Sequence, residues 1–151
     1  MVSFGDKDLI ITRRSLEKEL SSNKCDALVV RTLPNEDSKL TRVYTDSTTP
    51  YFTTDAMEFI VSLGVQHLLV DLPSIDRISD EGKLSNHRIY WNVDHGSFEV
   101  RADTRMDSTI TELIYVPNNV EDGDYTLNLQ IGPFESDASP SRPILFKMKN
   151  S

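Results

Sequence analysis

Two short apolar runs, ALVVR at residues 27–31 and HLLV at residues 67–70, bracket an amphipathic segment that closes on Gly64. Near-continuous apolar runs of four or five residues read as strands buried on both faces, the habit of parallel sheets. Between them, Thr53 or Thr54 caps a helix over DAMEFIVSL. Its Met57, Phe59, Ile60 and Val61 give a wide apolar face, and Gly64 stands where a left-handed C′ residue belongs. The order strand, loop, helix, glycine, strand is a β-α-β unit, so the two strands are expected to be parallel. This fixes the class as α/β.

The rest of the chain hangs on that unit. Thr12 caps a short helix, RRSLEKELSS, with Leu16 and Leu20 on one face. Cys25 opens the first apolar run and is expected to be buried, as a small hydrophobe. Residues 33–50 form a polar loop long enough to be a cover or binding loop. Residues 82–91 can form a short helix or helical turn around His87. Residues 109–116, TITELIYV, are β-rich. Beyond the turn signals Asn118-Asn119 and Asp122-Gly123, YTLNLQI at residues 125–131 alternates like a half-exposed antiparallel strand, and PILFKMK at residues 143–149 reads as a last strand. The 151 residues suit one domain with no internal repeat.

The net charge of −8 repels phosphate backbones and argues against a nucleic-acid partner. One cysteine excludes an intramolecular disulfide and a multi-cysteine zinc site. No apolar run approaches the roughly 18–20 residues of a membrane span, and the first residues lack a signal-peptide pattern. A cytoplasmic protein without a membrane partner is expected.

Of the three histidines, His67 begins a buried strand and reads as a satisfied structural residue, and His95 lies in a turn. His87 follows the acidic loop beyond HLLVD, where it could act as a ligand or general base. Most of the 24 acids are solvated charges. Asp71 is an exception, at the carboxyl end of a buried strand with Ser74 and Asp76 in the following turn. Glu112 is expected inside an apolar strand, TITELIYV. It either points outward by simple alternation, or is buried with a cationic or metal partner. An imidazole and a buried carboxylate suit zinc or manganese, although two ligands do not make a tight site. A Ser74-His87-Asp71 triad is the competing enzyme reading, but the G-x-S-x-G elbow is absent, as are a P-loop and a G-x-G-x-x-G fingerprint.

At these residues the chain resembles a known family. GVQHLLVDLPSIDR, KLSNHRIYW and TITELIYVPNNVEDGDYTLNLQIGPFESDASPSRPIL are similar to the carboxyl-terminal half of the cyclase family, which includes bacterial kynurenine formamidase and related metal-dependent amide hydrolases. The resemblance runs from about Asp8 to Lys149. Its motifs are an R-T after the first strand, G-V-x5-D-x-P-S-x-D, L-x-x-H, an acid before an apolar run, and D-x-S-P at residues 137–140. It implies a swivelling β/β/α fold, a mixed sheet with few helices, and a binuclear divalent-metal site, usually zinc. By that resemblance His87 and Glu112 are metal ligands, and Arg31, Thr32, Asp71, Ser74 and Asp76 are site scaffold. The family's early H-x-G-T-H-x-D signature has no match, and no histidine precedes His67. The chain is therefore expected to lack the N-terminal portion of the domain and most metal ligands. The implied substrate is a small amide such as N-formylkynurenine, and the apolar surface left uncovered by the missing portion favours a homo-oligomer. The alternative is a catalytically inactive binding or assembly subunit.

Overall fold

A computed structural model describes residues 8–20, 24–45 and 49–148. The chain divides into two compact units, Met1–Val116 and Pro117–Ser151. Among the described residues there are three α-helices and three small sheets, a mixed α/β arrangement with few helices.

The first unit is built on the β-α-β motif. Strands β2 (Ala27–Val30) and β4 (His67–Val70) pair in parallel, from Ala27 opposite His67 to Val30 opposite Val70. Strand β5 (Thr109–Thr111) adds to the other side of β4, also in parallel. The central position of β4 explains why Leu68, Leu69 and Val70 are all buried. A second, two-stranded parallel sheet joins β1 (Ile10–Ile11) to β3 (Tyr51–Phe52).

Helix α1 (Arg13–Glu19) starts at Thr12, as its sequence predicts. The Thr12 hydroxyl accepts from the Ser15 N–H at 3.2 Å, and the Ser15 hydroxyl accepts from the Thr12 N–H at 3.0 Å. Serine here takes the place that glutamate or glutamine has in the usual capping box. The helix stops at Glu19; Ser21 and Ser22, the end of the predicted segment, lie outside the described residues.

Helix α2 (Thr54–Ser62) begins after Thr53 and buries Ala56, Met57 and Ile60. These pack with Phe52, Val65, Leu68, Val70, Leu72, Ile75 and Tyr90 into one core. Gly64 ends the helix at φ +79°, and its N–H donates to the Val61 carbonyl at 3.0 Å. A β-carbon there would meet nothing within 4 Å. Gly64→Ala should therefore cost only its backbone strain, about 1 kcal/mol, read as a lower urea midpoint at unchanged m-value.

Three expectations are corrected. Cys25 is exposed, because β2 starts two residues later and the covered part of the strand begins at Ala27. Strand β5 ends at Thr111, so Glu112 is not inside a strand. Leu113 then takes a left-handed conformation (φ +57°) before the Leu113 and Ile114 N–H groups donate to the Leu72 and Val70 carbonyls. Parallel and antiparallel pairing also fall in separate sheets among the described residues, rather than in one mixed sheet. Helix α3 (Ser85–Trp91) carries His87. No helix of the described residues is long and apolar enough to cross a membrane.

In the second unit, β6 (Tyr125–Asn128) and β7 (Ile144–Lys147) form an antiparallel ribbon, with Thr126 opposite Phe146, and a bridge joins Ile131 to Ser141. The alternating pattern of residues 125–131 anticipates this pairing.

Candidate functional site

Strand β4 ends in a turn, residues 71–76, whose two acids are both buried and face different partners. Asp71 accepts from the Thr32 N–H at 2.9 Å and from the Thr32 hydroxyl at 3.0 Å, just beyond β2. Lys39 reaches the same carboxylate at 2.7 Å, with both side chains almost fully enclosed. The Lys39 ammonium also donates to the Thr32 carbonyl, the Thr32 hydroxyl and the Asn35 amide oxygen. Lys39 lies in a short 3-10 helix (Asp37–Leu40), so this cluster ties the long polar loop to the end of the central strand.

Asp76 turns the other way, onto α3. Its Oδ1 accepts from the Asn86 N–H at 2.7 Å, and its Oδ2 from the His87 N–H at 3.3 Å. The same Oδ2 lies 2.7 Å from His87 Nδ1. The other ring nitrogen, Nε2, stands 3.4 Å from Glu112 Oε1, which accepts from the Ile75 N–H at 2.9 Å. Glu112 reaches this place because the chain leaves the β5 ladder at residue 112; breaks in a ladder commonly re-aim a side chain near a site. Trp91 lies one helical turn beyond His87, with ring centroids 5.4 Å apart.

Burial is the largest influence on the His87 ring and pushes its pKa down. The hydrogen bonds and negative charges of Asp76 and Glu112 together outweigh burial and raise it to about 9. Without a competing cation, His87 is an imidazolium held between two carboxylates at neutral pH.

The predicted site residues thus fall into two groups around one turn. His87, Glu112 and Asp76 come together; Thr32 and Asp71 join Lys39. Arg31 precedes Thr32 at the end of β2 and is half-buried. Ser74 accepts from the Asp76 N–H at 3.1 Å and stabilises the turn. A Ser74-His87-Asp71 triad is not assembled, because Asp76 and not Asp71 orients His87. His67 is satisfied by the Thr109 hydroxyl at 2.9 Å, and His95 is exposed in a turn. Lys39 is the residue that sequence reasoning missed. A buried Asp71 requires a cation, and the loop after β2 was the place to look for one.

Two donors 3.4 Å apart suit one metal ion. Zinc bonds of about 2.0–2.2 Å at tetrahedral angles place neighbouring donors roughly 3.3–3.5 Å apart. A carboxylate on the remote ring nitrogen is the usual support of a metal-bound histidine. The fit covers two positions only. Among the described residues, no group of three or more His, Cys, Asp and Glu side chains is placed to hold a metal.

A family model described as "Putative cyclase" matches residues 2–77, half of the 151-residue chain. The match includes the turn with Asp71, Ser74 and Asp76 and stops short of His87 and Glu112. No curated protein matches the chain.

Proposed function

The chain belongs to the cyclase family, and from that membership we propose that it serves a metal-dependent hydrolase of small amides, of the arylformamidase type, to which it contributes His87 and Glu112. The observation that carries this reading is the His87 Nε2 to Glu112 Oε1 pair at 3.4 Å, backed by Asp76 on the remote nitrogen. In this reading the architecture is the swivelling β/β/α fold. The remaining donors come from an H-x-G-T-H-x-D segment outside these residues, in a cytoplasmic homo-oligomer. His87 and Glu112 would help to hold a divalent metal, zinc before manganese, which would acidify water and polarise the substrate carbonyl. His87 supplies a neutral nitrogen donor and Glu112 a carboxylate oxygen. His87 is largely enclosed, its side chain 15% exposed, with the Trp91 ring beside it.

A second reading, a catalytically inactive cyclase-like binding or assembly subunit, is favoured by the lack of a third donor among the described residues. Hydrolysis of N-formylkynurenine and metal content separate the two. The 151-residue chain alone should carry little zinc and turn over no formamide. Supplied with the H-x-G-T-H-x-D segment and zinc or manganese, it should hydrolyse the formamide, and Glu112→Gln should lower kcat/KM at least tenfold. An inert completed protein would remove the hydrolase reading, and near-stoichiometric zinc in the chain alone would overturn the two-donor account.

A further inference from the structure

We infer that Asp76 is the positioning residue of this site: its carboxylate holds the His87 ring with hydrogen on Nδ1 and thereby aims Nε2 at Glu112. The inference deepens the hydrolase reading and rests on it only for the identity of the group that Nε2 meets.

Helix α3 explains why one carboxylate has this role. Its N-cap, Leu84, is left-handed and makes no side-chain cap bond. Asp76 caps the helix from the preceding turn instead, through Asn86 N–H on Oδ1 and His87 N–H on Oδ2. A cap needs no more than this. The additional 2.7 Å contact to Nδ1 uses the same Oδ2 to fix the ring. A carboxylate can only accept here, so Nδ1 keeps its hydrogen, and when the imidazolium gives up its second proton the lone pair is left on Nε2.

The partner group is set from the adjacent residue. The Ile75 N–H donates to Glu112 Oε1, the oxygen that lies nearest Nε2. Consecutive residues of one turn therefore hold the two members of the pair, one by its backbone and one by its side chain. The turn is itself closed by the Asp76 N–H on the Ser74 hydroxyl. The spacing of the pair is a property of this turn rather than of the two separate segments that carry His87 and Glu112 in sequence.

Asp76→Asn keeps the stronger cap bond, loses the weaker one from the His87 N–H, and reverses the aim. The amide oxygen still accepts from Asn86 N–H, but the amide NH2 now faces Nδ1 and donates to it. The neutral ring then keeps its hydrogen on Nε2, facing Glu112, and has no lone pair there to offer a metal. Two measurements test this. In 15N-labelled wild type at neutral pH, the His87 Nδ1 proton should be far downfield and slow to exchange, and Asp76→Asn should lose that signal while keeping its amide dispersion. With the H-x-G-T-H-x-D segment supplied, Co2+, followed by paramagnetic shifts of the His87 ring, should bind the variant roughly 10–100-fold more weakly than wild type. Gly64→Ala, destabilised but remote from the turn, should leave Co2+ binding unchanged.

A wild-type Nδ1 without a hydrogen-bonded proton would overturn the assignment, even if Asp76→Asn fails to fold. So would a folded Asp76→Asn with unaltered Co2+ binding. Wild type that ignores Co2+ even when supplied with the H-x-G-T-H-x-D segment would count against the metal reading alone, and the Nδ1 signal would then decide the role of Asp76 by itself.

Discussion

Lys39→Ala is expected to destabilise the protein by about 3–5 kcal/mol, the cost of leaving one partner of a buried ion pair without the other. The Lys39 and Asp71 side chains are only 5% and 1% exposed, and their charged atoms are 2.7 Å apart. Truncation leaves the Asp71 carboxylate with the Thr32 N–H and hydroxyl alone. It also frees the Thr32 carbonyl and the Asn35 amide oxygen from a donor they share. For a chain of this length the loss corresponds to a fall in Tm on the order of 10 °C. Lys39→Met combined with Asp71→Asn should be less damaging than Lys39→Ala, because no charge then remains inside. Thermal and urea unfolding of the two variants provide the comparison. A loss under about 1 kcal/mol for Lys39→Ala would mean that water reaches Asp71 in solution, and that the loop is not tied to β4 by this contact.

The contrast between Lys39 and Asp71 shows what one sequence can reveal. Asp71 was legible because it follows four residues of central strand, where a charge is expensive. Lys39 lies in a polar loop with no periodicity, so nothing local marks it as the buried counterion. The β-α-β unit was legible for the same reason as Asp71: burial on both faces demands continuous apolar runs, and Gly64 marks the helix end. Strands of two residues, such as Ile10–Ile11 and Tyr51–Phe52, are too short to carry a period.

Glu112 shows a different limit. Alternation in TITELIYV left its direction open, and the answer came from the left-handed turn at Leu113. Leucine carries no turn signal, so the departure from the ladder could not be read. Asp76 and His87 were both singled out, yet their pairing across eleven residues depends on how the acidic loop returns α3 to the turn. Residue types pointed to the chemistry, and tertiary geometry decided which acid meets which nitrogen.

That pairing makes stability pH-dependent in a defined direction. The His87 pKa is about 9 in the folded chain, against 6.5 for an unperturbed histidine. A raised folded pKa means that the native state holds the proton more tightly than the unfolded state. The stabilisation is fully present below pH 6.5 and is lost as pH rises through about 9. Its size is roughly 3 kcal/mol, since each tenfold gain in proton affinity on folding contributes about 1.4 kcal/mol. The metal-free chain should therefore have a markedly lower urea midpoint at pH 9.5 than at pH 6. This window avoids Tyr51 and Tyr90, whose hydroxyls burial pushes up to about 12. His87→Gln removes the titrating group while keeping a side chain that can face Asp76, so most of the difference between the two pH values should vanish in it. Asp76→Asn should flatten the dependence too, because it removes the hydrogen bond that most opposes the effect of burial on the charge. Identical pH dependence in wild type and His87→Gln would show that the imidazolium is not held between Asp76 and Glu112. In that case the spacing of Nε2 and Glu112 would have to be maintained by the turn alone, without the charge that now bridges them.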